Sequence, residues 1–538
     1  MHSTPTGGAG ALIVPDGRPP IPGGGPQSVA DVLDSVADRT RVAVIGRSGR
    51  LTYDELDRAA NRVAHTLIDA GTRPGDRVGA SLPNDLDIVV AFLGAMRIGA
   101  IWVGIPRVLA TAEKAYVTHD TEMSLLLADP VVAEECRQRS DEFAPGLQVL
   151  TVGEAGWHDR LAAASDQRPE TPVDPFAPAA ISHTSGTTGR PKGVVHSQHN
   201  LLVPGAVAVM AGEFPPDGPV ATSAPMTILN LFVLVPLTAF QAGTSCVIMD
   251  SNDPVSIAEW IASEKIMHLT VVPTVYHDLL DAPTVTADQL ASLLRPRSGG
   301  AAVTETLRAR WLERFGRRLT SSLAMTEAPT YVAREDPSEP RLEGSLGRAV
   351  SHVQITIVDT DDRPVPTGGV GEICVSPATD GPWAGVYTPM FGYWGQPDET
   401  QHTLRGEKLH SGDMGRFDED GNLFLVDRKS SLIIRGGSNI YPAEVERVLH
   451  LDPRVDECVL IPKPDERLGE ITVAFVRLAA GASAQVDELK AHCAGHLARY
   501  KVPDEIRLVD DFPRTALGKP HRSELARSLR ATNEMGAQ

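Results

Sequence analysis

Residues 182–193, Ser-His-Thr-Ser-Gly-Thr-Thr-Gly-Arg-Pro-Lys-Gly, crowd small hydroxyls and glycines together and close on a lysine. Glycine adopts φ > 0 at no steric cost and lets the main chain approach an anion closely. Successive backbone N–H groups in such a loop form an anion-binding concavity. Thr184, Ser185, Thr187 and Thr188 add hydroxyl donors around Gly186 and Gly189, and Lys192 adds a point charge on a flexible stem. The pattern predicts a loop that wraps a polyphosphate. It is not a Walker A loop, in which Gly-Lys is followed at once by the Ser or Thr that meets magnesium. Here Pro191 precedes Lys192 and Gly193 follows it. A flexible Gly/Thr linker is the bland alternative, and Val194-Val195 argues against it by resuming an apolar run immediately.

As it stands, this loop resembles the signature of the acyl-adenylate-forming superfamily, which includes acyl-CoA synthetases, peptide-synthetase adenylation domains and luciferases. Later motifs follow in that family's order, so the resemblance runs from about Leu51 to Arg522. It implies ATP and Mg2+, with CoA as co-substrate. Activating a carboxylic acid with ATP brings two anions together, requires in-line approach to the α-phosphorus and must stabilise departing pyrophosphate. Positioning and electrostatics do most of that work. Lys519, at the end of Pro513-Arg514-Thr515-Ala516-Leu517-Gly518-Lys519, resembles the family lysine that bridges the carboxylate and the α-phosphate. Ala324-Met325-Thr326-Glu327 resembles the motif in which Thr contacts the α-phosphate and Glu holds the metal. A hard cation does favour one or two carboxylates plus phosphate oxygens. Glu327 and Thr187 are therefore the candidate metal ligands. Asp413, in His410-Ser411-Gly412-Asp413, matches the aspartate that receives both ribose hydroxyls, a role suited to an acceptor-only carboxylate. Arg428 matches the second ribose contact. Gly299-Gly300-Ala301-Ala302 resembles the turn beside adenine and the acyl chain, with Gly300 and Ala301 on the nucleotide, together with Ala324 and Met325, and Ala302 on the acyl side. Two positions depart from the family: Leu323 stands where Tyr is usual and Ala324 where Gly is usual.

Arg435-Gly436-Gly437 opens a stretch that resembles the loop lining the thiol-acceptor tunnel, where glycines leave room for a thin pantetheine arm. Read on its own, the stretch is a helix entry with Pro442 near its first turn. The family hinge position, commonly Asp or Lys, is Ser430 here. The acid itself is read from Ala224-Pro225-Met226-Thr227-Ile228-Leu229-Asn230-Leu231. No acidic residue is present to pair an amine, which disfavours an α-amino acid. Met226, Ile228, Leu229, Asn230, Ala302 and Leu323 are the candidate acyl-pocket residues, although the apolar ones could equally be core. The expectation is a small to medium carboxylic acid with an uncharged tail, carried through acyl-AMP to the thiol of CoA. Rival readings keep the first step and pass the acyl group to an acyl-carrier protein or to an amine. A non-catalytic nucleotide-binding relic would show loss of Lys519, Glu327 or Asp413, and all are present.

These residues need elements to hold them. The 538 residues exceed a single core, so two or more domains are expected. The N-terminal Gly/Pro-rich residues 1–26 read as a disordered tail, 27–427 as the large adenylate-forming domain and 428–538 as a small mobile C-terminal lid of α+β type. Thr52 with Glu55 forms a capping-box pattern, and Leu56, Ala60, Val63, Ala64 and Leu67 follow at helical spacing. Strands are expected at 77–82, 244–249 and 269–272, with helices at 86–99 and 256–264, which makes an α/β domain of sheets flanked by helices. From 344 to 427 the pattern becomes strand-rich and predicts a small barrel-like section. The net charge of −19 offers no basic stripe for a nucleic-acid polymer. Five scattered cysteines, none in a Cys-x-x-Cys pair, argue against a zinc site or a disulfide framework. No apolar run approaches a membrane span, and a cytoplasmic location is expected.

Overall fold

Thr52 opens the first long helix, Tyr53–Asp69, through the reciprocal bonds its spacing predicts: its hydroxyl accepts from Glu55 N at 3.2 Å, and Glu55 Oε2 accepts from Thr52 N at 2.9 Å. The helix turns Leu56, Ala60, Val63, Ala64 and Leu67 inward, against the almost wholly buried helix Leu86–Arg97. A computed structural model describes residues 12–15, 17–184, 191–215, 217–300, 303–428, 433–435, 438–465, 467–514 and 520–535. The chain divides into two compact units, Met1–Thr356 with Cys374–Ser411, and Ile357–Ile373 with Gly412–Gln538.

The first unit holds two large sheets. The seven-stranded sheet runs Gly392–Tyr393, Lys192–Ser197, Pro178–Thr184, Ile101–Gly104, Arg77–Ser81, Leu125–Ala128, Gln148–Thr151. Its centre is parallel, and its first pairings, on either side of Lys192–Ser197, are antiparallel. The nine-stranded sheet runs Arg348–Ala349, Ala328–Arg334, Thr320–Met325, Arg295–Ser298, His268–Val271, Val220–Thr222, Cys246–Ile248, Val42–Gly46, Gly49–Thr52. A core containing Phe92, Trp102 and Phe232 includes residues of both sheets, with the Phe92 and Phe232 rings stacked at 4.2 Å. The mixed α/β architecture expected from the alternating pattern is what forms.

Local differences have local causes. The strand expected at 244–249 is shorter, Cys246–Ile248. Gly243, at φ +68, ends the helix Thr238–Ala242, and the Thr244 carbonyl accepts from the Tyr53 hydroxyl at 2.7 Å instead of joining a ladder. The apolar run 231–240 is helical, with a π turn over Val233–Leu237 around Pro236, whose missing N–H breaks the regular bonding. Within the segment expected to be a tail, Ile21 is 3% exposed and Gln27 bonds its main chain on both sides.

The strand-rich section forms a four-stranded sheet in the order Val353–Val358, Gly371–Pro377, Leu409–Phe417, Leu423–Arg428. In the second unit, Gly469–Leu478 pairs antiparallel with Val455–Asp465 and parallel with Glu505–Leu508. Helices Pro442–Leu449 and Val486–His496 contribute Val445, Val448, Leu449, Leu489 and Cys493 to the core with these strands. All five cysteines are buried, and none is in a disulfide. Among the described residues no helix is long and apolar enough to cross a membrane.

Candidate active site

The hydroxyl- and glycine-rich loop is carried on a hairpin. Thr184 ends one strand, Lys192 opens the next, and the two face each other in register. Ser185, Gly186, Thr187, Thr188 and Gly189 lie outside the described residues. Helix Thr111–Asp120 ties down both stems. The Tyr116 hydroxyl donates to Pro191 O at 2.9 Å, and Asp120 Oδ2 lies 2.9 Å from His183 Nε2. Lys192 is nearly buried, pairs with Glu399 and lies with Nζ 5.2 Å from the centre of the Tyr393 ring.

Thr326 and Glu327 form the turn between Thr320–Met325 and Ala328–Arg334, closed by the pairing of Met325 with Ala328. The Tyr393 hydroxyl donates to Glu327 Oε1 at 3.1 Å. Burial pushes the Tyr393 phenol well above its usual range, so it stays a donor at neutral pH. Behind the turn, Asn230 Nδ2 donates to Met325 O at 3.1 Å, His196 Nε2 to Thr326 O at 2.8 Å and Met390 N to Glu327 O at 2.8 Å. Complete burial pulls His196 down to about 4, so its imidazole is neutral. A carbonyl can only accept, which assigns the ring proton to Nε2.

Magnesium would fit this turn. Glu327 offers a carboxylate with one oxygen on a phenol and no cation paired with it among the described residues. There is no cluster of three or more His, Cys, Asp or Glu among the described residues that could cage a metal unaided. Magnesium takes one or two carboxylates and draws its remaining ligands from phosphate and water, and Glu327 is a carboxylate of that kind.

Gly300, at φ +78, follows the strand Arg295–Ser298, while Ala301 and Ala302 lie outside the described residues. Ile228, Asn230, Leu323, Ala324 and Met325 are partly exposed, whereas Met226 and Leu229 are 0% and 2% exposed and pack in the core. The main chain of this wall is set from two sides. Asn84 Oδ1 accepts from Met226 N at 2.9 Å, while its Nδ2 donates to Ala224 O and Met249 O. Gly104 abuts Thr227 so closely that a Cβ there would lie 2.0 Å from the Thr227 carbonyl oxygen.

In the second unit Asp413 is buried and sits opposite Arg428 in an antiparallel pair, one residue after Gly412 at φ +72. The Arg428 side chain lies outside the described residues, as do Ser430, Gly436, Gly437 and Lys519. The segment carrying Lys519 is bounded by an antiparallel bridge between Arg514 and Pro520. Arg435, expected at the tunnel, makes a forked pair with Asp504, Nε to Oδ2 at 2.9 Å and the terminal nitrogen to Oδ1 at 2.6 Å. Asp504 also accepts from Thr472 N at 2.9 Å, so Arg435 braces this unit's sheet.

Sequence reasoning missed Asn84, His196 and Tyr393. Asn84 follows Pro83 at the end of a strand, a position where the sequence signals only a turn.

The AMP-binding enzyme family matches residues 34–383, and the AMP-binding enzyme C-terminal domain matches 444–519. A feruloyl-CoA synthase of an Amycolatopsis species is 33% identical over 478 residues, covering 89% of this chain and 94% of that protein. The fatty acid–acyl-carrier-protein ligase ScoC of Streptomyces coeruleorubidus is 32% identical over 501 residues, covering 90% and 93%. The crystal structure of ATP-bound MatB from Rhodopseudomonas palustris superposes with a TM-score of 0.85 at 27% identity, covering 93% of this chain and 98% of that one. With family matches over 34–383 and 444–519 and a relative 33% identical over 89% of its length, the chain belongs to the AMP-binding enzyme family.

Proposed function

We propose that this protein is an AMP-forming acid–thiol ligase, which activates a carboxylic acid with ATP to an acyl-AMP and transfers the acyl group to CoA. One observation carries the reading. Tyr393 holds the Glu327 carboxylate with its hydroxyl and faces Lys192 with its ring, so the metal-ligand turn and the stem of the phosphate loop share one anchor. In this reading the loop and Lys192 take the phosphates, and the Thr326 hydroxyl meets the α-phosphate. Glu327 holds the metal with Thr187, and Asp413 with Arg428 receives the ribose. Gly300, Ala301, Ala324 and Met325 border the nucleotide. Magnesium, when bound, supplies charge neutralisation on the phosphate oxygens. Lys519, on a lid formed by the residues after 428, offers its ammonium between the carboxylate and the α-phosphate. Arg435, Gly436 and Gly437 line the thiol route. The partly exposed Ile228 and Leu323 support an acid with an uncharged tail, and the dependence on ATP and CoA fits a cytoplasmic site of action.

The first experiment incubates the protein with ATP, magnesium, CoA and a panel of aliphatic and aromatic carboxylic acids, with products read by mass spectrometry. The expected product is acyl-CoA with AMP and pyrophosphate. Acyl-AMP without acyl-CoA would remove the CoA assignment. It would favour the second reading, transfer to an acyl-carrier protein, which the 32% identical carrier-protein ligase supports. Amide formation on added amines would sink both thiol readings, and no pyrophosphate release with any acid would sink adenylation itself.

A further inference from the structure

His196 lies behind the Thr326–Glu327 turn, fully buried on the strand Lys192–Ser197. The carbonyls of Met325, Thr326 and Glu327 are consecutive, and each accepts from a different element: Asn230 in Leu229–Phe232, His196, and the main chain of Met390. A peptide unit is planar, so pinning its carbonyl pins the whole plane and leaves only φ and ψ between planes. The Thr326 carbonyl belongs to the middle plane of the series. Its orientation governs ψ at 326 and φ at 327, the torsions between the two candidate site residues.

We infer that His196 is a positioning residue for adenylation: by holding the middle peptide plane it sets the directions in which the Thr326 hydroxyl and the Glu327 carboxylate project. This rests on the reading of that turn as the α-phosphate and metal contact. The ring is itself held. Asn200 Nδ2 lies 3.5 Å from His196 Nδ1, and Asn200 Oδ1 accepts from Thr388 N at 3.0 Å. Asn200 thereby presents a donor to Nδ1, which favours the tautomer with its proton on Nε2, facing Thr326. Because burial keeps the imidazole neutral, this bond does not change across the working pH range. Losing the donor would leave a partly buried carbonyl without its partner, and the turn would rearrange to find another.

The test compares His196→Phe, His196→Gln and Glu327→Gln in pyrophosphate release at varied Mg2+ and acid, alongside 15N spectra of the histidine-labelled wild-type protein. His196→Phe is expected to lower kcat by about 10- to 100-fold, the range for a small misplacement of reacting groups. It should raise the Mg2+ concentration needed for half-maximal rate and leave KM for the acid within about 2-fold. His196→Gln, whose amide can still reach the carbonyl, should recover most of kcat. The wild-type spectrum at pH 7.5 should show His196 neutral with the proton on Nε2, an observation that needs no variant to fold. A folded His196→Phe enzyme with wild-type kcat and Mg2+ dependence would overturn the inference, as would a proton on Nδ1. If Glu327→Gln also leaves Mg2+ dependence unchanged, the metal assignment of the turn fails instead.

Discussion

At the scale of single residues, the site depends on groups that orient other groups. Tyr393 is the plainest case, since its hydroxyl and its ring serve different partners. Tyr393→Phe keeps the ring beside Lys192 and removes the hydroxyl that bonds Glu327 and also meets the Thr403 side chain. Hydrogen bonds to charged groups contribute about 1.5–3 kcal/mol. If half of that falls on the orientation needed for reaction, kcat for pyrophosphate release drops about 4- to 13-fold. Stability should change little, because Glu327 is partly exposed and its freed carboxylate can turn to water. Steady-state kinetics with a thermal melt checks this, and unchanged kcat would show that Tyr393 does not orient Glu327. The same division explains what could be read in advance. Thr326 and Glu327 are adjacent and carry a family motif, so the sequence exposes them. His196, Asn230 and Tyr393 reach this turn from 130, 95 and 66 residues away, and no local pattern marks a contact at such separation.

At the scale of elements, legibility followed the range of the force. The Thr52–Glu55 cap joins residues three apart, and the helix forms where expected. The strand expected at 244–249 begins only at Cys246, where Gly243 ends a helix and the Thr244 carbonyl takes a long-range bond from Tyr53, 191 residues away. The candidate acyl-pocket residues are only half legible. The apolar ones carry no mark that separates Met226 and Leu229, which pack inward, from Ile228, which is partly exposed. What separates them is the pinning of residues 224–227 by Asn84 and the close approach of Gly104. Gly104→Ala puts a methyl 2.0 Å from a main-chain oxygen, a contact that only backbone movement relieves. Overpacking of this kind costs about 1–3 kcal/mol. The movement falls on the residues leading to Ile228 and Asn230, so KM for the acid should rise several-fold while KM for ATP holds. Denaturant titration and paired KM measurements test this, and a variant with wild-type stability and acid KM would refute the proposed coupling.

At the scale of the whole molecule, the two units allow one of them to be followed alone. All six tryptophans, at 102, 157, 260, 311, 383 and 394, fall in the first unit, so their fluorescence reports its unfolding. That unit also holds His196 and His199, pulled down by burial to about 4, and His268 and His352, pulled down to about 3. In the unfolded chain each returns to its ordinary value of 6.5. As pH falls below 6.5 the unfolded state takes up protons that the folded state refuses. Stability is therefore fully present above 6.5 and is lost as pH falls toward 4. Each histidine contributes up to about 1.4 kcal/mol per pH unit in that window. Asp87 and Asp278, raised by local desolvation although both residues are exposed at the surface, act weakly in the opposite direction, and they are two groups against four buried imidazoles. Titration of the net charge from −19 toward the isoelectric point near 5.3 also opposes the loss by easing self-repulsion. That effect is screened by salt, whereas the cost of charging a buried imidazole is not. In 0.5 M salt, the urea midpoint read by tryptophan fluorescence should fall steadily from pH 6.5 to 5. A midpoint that stays level or rises over that interval would mean the four imidazoles gain no protons on unfolding.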